Sequence, residues 1–256
     1  MGRKDIQPIY TQTYQQKRRS MIIYVLIAVI LLAIFGGWLG YKYYEKQQLK
    51  KYPITGVVLS QNDGYVDFDA LKKAQVDFVY LKATQGAAFS DDSFNSNYSR
   101  SQGAQLPVGV YHVFSFSSTV NSQYHNVISQ VKTNTGSLPL AIYIDYYGTY
   151  SDDNVDWQAT RKKIIKLAKK LTHYYQRPLL FWGPKSVLDH LDVKVGTKYQ
   201  LWYSDGTLGK PNGDARFLSV PGKPVIDLSG TEQSFNQAVF NGNQAKWEQY
   251  LSVNVN

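Results

Sequence analysis

The sequence of 256 residues contains no cysteine. This absence excludes a disulfide scaffold, a thiolate metal site and a cysteine nucleophile. The four histidines (His112, His125, His173 and His190) show no HExxH or similar ligand spacing, so nothing in the sequence supports a metal site. We therefore expect neither a bound metal nor a cofactor.

Outside the N-terminal region the sequence has little excess of either charge. Residues 1–51 hold nine Lys and Arg against two Asp and Glu, whereas residues 52–256 hold 19 against 17. A domain so nearly neutral lacks the basic footprint of a nucleic-acid-binding protein, and we expect no nucleic-acid partner. The basic residues near the N-terminus instead flank an apolar segment, where they suit anionic lipid headgroups.

That apolar segment covers residues 21–41 (MIIYVLIAVILLAIFGGWLGY) and contains no charged side chain. A helix needs roughly 20 apolar residues to cross a bilayer, so the segment predicts a single transmembrane helix. A cleavable signal peptide is the alternative, but its apolar run is about 7–15 residues with an A-x-A-like site after it. The sequence favours an uncleaved signal anchor, with Tyr41, Tyr43 and Tyr44 at the membrane interface.

The remaining chain alternates short apolar runs with helical patterns, which predicts an α/β fold with a parallel sheet, compatible with a (β/α) barrel. The predicted strands are 56–60, 78–83, 108–114, 140–145, 179–182, 200–203 and 225–228. The predicted helices are 67–73, 94–102, 121–132 and 155–175. In the last helix the apolar face is predicted to pack on the core and the lysines to form a solvated face.

Several of these runs, taken in order, resemble the family 25 glycoside hydrolases, which are peptidoglycan-cutting lysozymes. The runs are 56–60 (GVVLS), 66–68 (VDF), 76–86 (VDFVYLKATQG), 92–98 (DSFNSNY), 106–113 (LPVGVYHV), 138–145 (LPLAIYID), 177–181 (RPLLF), 201–202 (LW) and 239–242 (VFNG). The resemblance implies a barrel of the family 25 type, similar to a TIM barrel, and peptidoglycan glycan strands as partner. It also implies a domain outside the cytoplasmic membrane.

We therefore expect four regions: a cytoplasmic segment 1–20, a transmembrane anchor 21–41, a polar stalk 42–53 and a lysozyme-like domain 54–250. The expected location is the bacterial cell membrane, crossed once, with the C-terminal domain extracellular. The positive-inside rule leans towards the same orientation.

The resemblance also assigns the acidic side chains that such enzymes use at the carboxyl ends of barrel strands. The first-strand Asp falls on Val58, the Asp of the family's D-x-E pair on Asp145, and its general-acid Glu on Tyr147. The Glu of the family's KATEG run falls on Gln85, and the Asp of its closing VDLN run falls on Asn236. Most of the family acids are therefore replaced.

A second alignment of the closing run retains one more acid. If residues 225–228 (VIDL) correspond to that run, Asp227 is its Asp, although the spacing to residues 240–242 (FNG) favours Asn236. The candidate catalytic residues are thus Asp145 and Asp227. Asp205 is interpreted as a turn residue, and Asp152 and Asp153 as caps of the helix beginning near residue 155.

Side chains on or after strand ends form the predicted glycan-binding set, because aromatic faces beside polar groups suit sugar rings. The set consists of Gln85, Tyr111, Tyr147, Trp182, Trp202 and Asn236. Two functions remain open from the sequence. The chain is either a membrane-tethered muramidase that uses Asp145 and a second acid, or a non-catalytic descendant of such an enzyme (a pseudoenzyme) that binds peptidoglycan.

Overall fold

The computed structural model describes residues 10–209 and 212–254, and the chain forms two units, Met1–Gln48 and Leu49–Asn256. The first nine residues of the predicted cytoplasmic segment lie outside the described residues.

The first unit contains one long helix, α1 (Tyr10–Leu49). Its stretch Lys17–Tyr41 has a mean hydropathy of 2.8 and buries none of its side chains within the protein. Length and composition suit either a membrane span or a signal sequence. Residues 42–49, predicted as part of a polar stalk, continue the helix, and their structure is therefore helical.

The second unit is built on eleven strands among the described residues. They are β1 (Thr55–Leu59), β2 (Phe78–Gln85), β3 (Phe89–Ser90), β4 (Val108–Val113), β5 (Leu140–Tyr143), β6 (Leu179–Gly183), β7 (Tyr199–Tyr203), β8 (Ala215–Ser219), β9 (Val225–Asp227), β10 (Glu232–Ser234) and β11 (Asn236–Phe240). Eight of them close into a barrel in the order β1-β11-β8-β7-β6-β5-β4-β2, because β1 also pairs with β2. This confirms the predicted barrel.

All barrel strands except β11 run parallel, and β11 is antiparallel to both of its neighbours, β1 and β8. The amino end of β11 therefore lies at the same rim of the barrel as the carboxyl ends of the other seven strands. We call this rim the mouth and the opposite end the floor. Parallel barrels carry their functional side chains at the mouth.

Helices cover the outside of the barrel and also its floor. They are α2 (Phe68–Lys73), α3 (Phe94–Gly103), α4 (Val120–Val131), α5 (Trp157–Tyr175), α6 (Lys185–Asp189) and α7 (Gln244–Asn254). α5 buries Ile164, Leu167 and Leu171 against the strands, as its apolar periodicity predicts, and each such side chain contributes about 2 kcal/mol. Trp247 and Tyr250 of α7 join the apolar cluster inside the barrel.

The strand side chains alternate between two apolar clusters, as the two-residue period of a strand requires. Val57 and Leu59 pack outwards under the helices, whereas Val58 lies between them in the inner cluster. The same alternation places Tyr111, Trp182 and Trp202 inside the barrel.

Three sequence expectations need correction. Residues 225–227 form β9, which pairs with β10 in a separate two-stranded sheet and is not a barrel strand. The barrel strands β8 and β11 were not among the predicted strands. α5 is capped by Asp156, whose side chain accepts a hydrogen bond from Ala159 N, and not by Asp152 or Asp153.

Candidate active site

Asp145 lies just beyond β5 at the barrel mouth and is half-buried. Its Oδ2 accepts a hydrogen bond from the Tyr143 hydroxyl at 2.7 Å, and its Oδ1 accepts one from Tyr146 N at 2.8 Å. The two donors fix the orientation of the carboxylate. Burial raises the pKa of Tyr143, and the hydrogen bond to Asp145 raises it further, so this hydroxyl keeps its proton and remains a donor.

Tyr147, at the position where the resemblance puts the general-acid Glu, is held against the loop after β4. Its hydroxyl accepts a hydrogen bond from Phe116 N at 3.0 Å and lies 3.1 Å from Ser115 Oγ. Its ring stacks on Phe116 with 5.6 Å between the centroids, and 39% of the side chain stays exposed. A tyrosine here does not supply the carboxyl group that the resemblance assigns to this position.

The opposite side of the mouth carries no carboxylate at the two corresponding positions. Val58 and Asn236 are register partners on β1 and β11. Val58 is buried in the inner apolar cluster, while Asn236 is exposed at the rim. Since β11 and β5 stand four places apart in the eight-stranded order, these residues face Asp145 across the barrel. The structure thus places Asn236, and not Asp227, on the closing barrel strand.

An aromatic wall connects the two sides of the mouth. Trp182 stacks on Trp202 with centroids 4.2 Å apart, and the rings of Tyr111 and Tyr143 contact Trp182 at 5.1 and 4.5 Å. Trp202 is fully buried and donates its indole N–H to Ser219 Oγ. Trp202 was predicted to bind the glycan, but its burial makes it a support for Trp182 and leaves it no exposed face for a ligand.

The β2 side of the mouth holds a cation that the sequence reasoning did not single out. Lys82 Nζ donates to Gln85 Oε1 at 2.8 Å and lies 4.7 Å from the centre of the Phe89 ring. Burial lowers the pKa of Lys82, and the nearby Asp91 opposes that change. Gln85 is exposed, as a residue that contacts a ligand must be. The position of Lys82, three residues before the end of β2, is the feature of the sequence that could have indicated it.

Two further acids come close to the inner wall but are already engaged by the backbone. Burial raises the pKa of Tyr111, and the charges of Asp91 and Asp63 raise it further. Asp91 accepts hydrogen bonds from Gln61 N and Ser93 N, and Asp63 accepts one from Ser60 N. These carboxylates therefore fix the loops after β1 and β2.

The other candidate acids lie in loops outside the barrel strands. Asp227 is exposed on β9, in the hairpin between β8 and β11, and its Oδ1 accepts a hydrogen bond from Gly230 N at 2.6 Å. Asp205 accepts one from Lys185 N at 2.7 Å, in agreement with its interpretation as a loop residue. Asp152 Oδ1 contacts the Tyr146 hydroxyl, Trp157 Nε1 and His190 Nε2 at 2.8–3.0 Å.

No group of three or more His, Cys, Asp or Glu side chains that could hold a metal occurs among the described residues. At the ends of the barrel strands, the mouth offers one oriented carboxylate, that of Asp145. It also offers the half-buried ammonium group of Lys82 and a wall of aromatic rings. Such a surface can bind a sugar by stacking and hydrogen bonding. The second carboxyl group that glycoside hydrolysis ordinarily requires is not found on the barrel strands facing Asp145.

The comparisons with known proteins agree with this architecture. The sequence model of glycosyl hydrolases family 25 matches residues 57–213. An autolytic lysozyme of Clostridium acetobutylicum is 26% identical over 167 residues, which cover 64% of this chain but 49% of the lysozyme. This chain therefore matches about half the length of that relative.

Solved structures give the same result for the fold. A family 25 glycosyl hydrolase from Bacillus anthracis superposes with a TM-score of 0.70 at 25% identity, covering 78% of this chain and 94% of that one. A bacterial lysozyme from Streptomyces coelicolor superposes with a TM-score of 0.65 at 19% identity, covering 79% and 97%. With the family match extending over more than half of its length, this chain belongs to glycosyl hydrolases family 25.

Proposed function

We propose that this protein is a membrane-anchored, lysozyme-like protein that binds peptidoglycan glycan strands at the barrel mouth and hydrolyses them little or not at all. The family and the fold support a function of the peptidoglycan-hydrolase type. The autolytic lysozyme among its relatives points to the same class of substrate. The side chains at the mouth suit glycan binding, but they do not include the pair of carboxyl groups that cleavage ordinarily uses.

The observation that carries the proposal is the set of side chains at the positions that the resemblance assigns to acids. With the Glu of the KATEG run included there are five such positions: Asp145 alone is a carboxylate, and the other four are Val58, Gln85, Tyr147 and Asn236. Retaining and inverting glycosidases both work with a pair of carboxyl groups flanking the scissile bond. Loss of a general acid or base typically costs about 10²–10⁴ in rate. Replacement at four positions leaves little turnover.

Binding depends on polar and aromatic side chains at the mouth, three of which stand at positions that the resemblance assigns to acids. Tyr147 and Gln85 are exposed at the mouth, and Tyr143 and Trp182 form a wall beside Asp145. Aromatic faces cover the apolar faces of sugar rings, and amide and carboxylate groups exchange hydrogen bonds with their hydroxyls. We propose that Gln85, Tyr147 and Asn236, which are exposed, contact the glycan, and that Tyr111 and Trp182, which are 8% and 9% exposed, line the site behind them.

A second candidate function is muramidase activity, in which Asp145 works with a rebuilt partner acid on the β-1,4 bond between N-acetylmuramic acid and N-acetylglucosamine. The observation in its favour is that Asp145 is retained and held in place by Tyr143. Asp227 is the partner acid that this function would use, since its hairpin leaves the barrel at the mouth.

The proposed location follows from α1. The apolar stretch Lys17–Tyr41 is long enough to cross a bilayer, and basic residues flank it. We propose an anchor over residues 21–41, a cytoplasmic N-terminus and a domain 54–250 outside the membrane. If the stretch is instead a cleaved signal sequence, the mature protein extracted from cells will begin after it, which N-terminal sequencing detects.

Co-sedimentation of the full-length chain, solubilised in detergent, with purified insoluble peptidoglycan tests the binding proposal. We expect wild type to co-sediment and Tyr147→Ala to bind about tenfold more weakly, because the variant removes an exposed ring at the mouth. Tyr174→Ala is the matched control, since Tyr174 is 49% exposed on α5 outside the barrel. Equal loss in both variants, or no binding by wild type, would contradict the proposed site.

A further inference from the structure

The excess positive charge of the second unit is concentrated on one helix, α5. α5 carries six basic residues and no acidic residue: Arg161, Lys162, Lys163, Lys166, Lys169 and Lys170. The rest of residues 52–256 holds 13 basic and 17 acidic residues, so it is negative while α5 is positive. Like charges this close repel one another, and an arrangement of this kind loses that repulsion when a polyanion binds.

Half of these cations already have a partner in the fold. Arg161 forms a salt bridge of 2.9 Å with Asp192, Lys163 Nζ donates to Phe116 O at 3.4 Å, and Lys170 Nζ lies 4.5 Å from the centre of the Tyr124 ring. The others, Lys162, Lys166 and Lys169, are exposed and form no salt bridge with any residue that the structure describes. They extend over about 10 Å of the helix.

These lysines border two adjoining cavities, which together we call the α5 groove. One, of about 560 Å³, is lined by Gln158, Arg161, Lys162, Ile165, Lys166 and Lys169. The other, of about 300 Å³, is lined by Ser117, Ser118, Thr119, Val120, Asn121, Lys163 and Lys166. Lys166 belongs to both linings. The groove thus combines ammonium groups, hydroxyl groups and the aliphatic side chain of Ile165, on the outside of the barrel.

We propose that the α5 groove binds a linear phosphodiester polymer of the polyol-phosphate type, independently of what the barrel mouth binds. Lysine ammonium groups bind phosphate oxygens as compact point charges, and the one arginine of the groove, Arg161, is already paired with Asp192. The serine and threonine hydroxyls of the loop after β4 add neutral donors for the same oxygens.

The shape and the lining of the α5 groove argue against an anionic membrane surface and against nucleic acid as its ligand. The cavity between the loop after β4 and α5 has two walls, so the flat surface of a bilayer does not fill it, but a flexible chain can follow it. No aromatic ring lines either cavity, so the groove offers no platform on which nucleic-acid bases could stack. A polymer whose repeats are small polyols needs no such platform.

The test uses the full-length chain in zwitterionic detergent and fluorescently labelled poly(glycerol phosphate) as the probe. The variant Lys162→Gln/Lys166→Gln/Lys169→Gln removes the three unpaired charges. Lys73→Gln/Lys194→Gln/Lys223→Gln removes three equally exposed charges elsewhere on the domain. We expect wild type to bind with a strong salt dependence, the α5 variant to bind about 100-fold more weakly with a shallower salt dependence, and the control to stay within about threefold of wild type.

Circular dichroism melts of both variants check that the fold is kept, since all six lysines are exposed. Absence of binding by wild type, or an equal loss in both variants, would overturn the proposal. So would stronger competition by single-stranded DNA or by anionic phospholipid vesicles than by unlabelled polymer. Peptidoglycan co-sedimentation of the α5 variant should equal that of wild type, which separates this groove from the barrel mouth.

Discussion

The floor and the mouth of the barrel are built from the same strands but have opposite character. At the floor, Phe240 packs against Trp247 and Tyr250 with ring centroids 5.1–5.3 Å apart, and the three side chains are at most 9% exposed. At the mouth, Asp145 and Tyr147 remain accessible and hydrogen-bonded. The positions that the resemblance assigns to acids lie at the mouth, whereas the floor is packed from apolar and aromatic side chains.

A physical reason for this separation is that clustered carboxylates repel one another and oppose folding. In the proposed function, Val58, Tyr147 and Asn236 stand where the resemblance puts carboxylates, and these three side chains therefore add nothing to that repulsion. Active sites commonly sacrifice stability for activity in this way.

The largest effect should come from returning carboxylates to the mouth. We expect Val58→Asp/Tyr147→Glu/Asn236→Asp to release reducing ends from peptidoglycan at least 100-fold faster than wild type, because it restores the acid and base contributions of about 10²–10⁴. Adding Asp145→Asn to this variant should abolish the gain. A folded restored variant that releases no more product than wild type would show that more than these acids separates this mouth from an active one.

At the floor, the expected effect is on stability alone. Phe240→Ala should lower the free energy of unfolding by about 3–5 kcal/mol, because it leaves a cavity among buried rings. Urea denaturation followed by tryptophan fluorescence measures this loss. Peptidoglycan binding per folded molecule should remain that of wild type, and Tyr147→Ala should show the converse. A binding defect in folded Phe240→Ala would mean that floor and mouth are coupled.

His112 lies on β4 and is buried, and its burial predicts that the stability of the fold depends on pH. Burial lowers the pKa of His112 to about 4, while Thr84 Oγ1 and Gln123 Oε1 occupy its two ring nitrogens. The unfolded chain then binds the extra proton between pH about 4 and 6.5, so stability rises with pH across this window.

We expect this residue to contribute about 3 kcal/mol to the loss of stability on acidification. The measurement is the difference in unfolding free energy between wild type and His112→Asn at several pH values, which cancels the contributions of other groups. The difference should shrink as the pH falls from 6.5 to 4. A difference independent of pH would refute the assignment to His112.

The smallest effect is expected at the hydrogen bond that orients the retained carboxylate. Tyr143→Phe removes the donor to Asp145 Oδ2 while keeping the ring against Trp182. We expect a loss of about 1 kcal/mol in stability and a change in glycan affinity of at most a few fold. Tyr146→Phe, which removes the hydroxyl that contacts Asp152, is the comparable control. A larger loss of affinity in the control would contradict the role given to Tyr143.

Most of the barrel could be predicted because its strands are short apolar runs followed by helices with a clear period. β8 and β11 escaped prediction for local reasons. β8 includes an exposed arginine, Arg216, and β11 opens with Asn236 and Gln237, so neither is a continuous apolar run. β9 was predicted because residues 225–228 are apolar around one Asp, yet this run forms a hairpin outside the barrel.

The sequence could predict which candidate residues lie near the ends of barrel strands, but it could not predict how their side chains are arranged. The resemblance located Asp145, Tyr147 and Asn236, since each follows or begins a barrel strand. The full burial of Trp202 and the contact of Lys82 with Gln85 depend on neighbours distant in sequence. The three Asp residues before α5 are equally good caps by type, and the loop geometry alone selects Asp156.

The proposal that the mouth binds without cutting is tested most directly by measuring reducing ends and muropeptides released from peptidoglycan. The full-length wild-type chain should be present at a concentration at which co-sedimentation shows the substrate to be saturated. We expect release no greater than that of Asp145→Asn under the same conditions. Release by wild type that disappears in Asp145→Asn would contradict the proposal and establish a muramidase that uses Asp145.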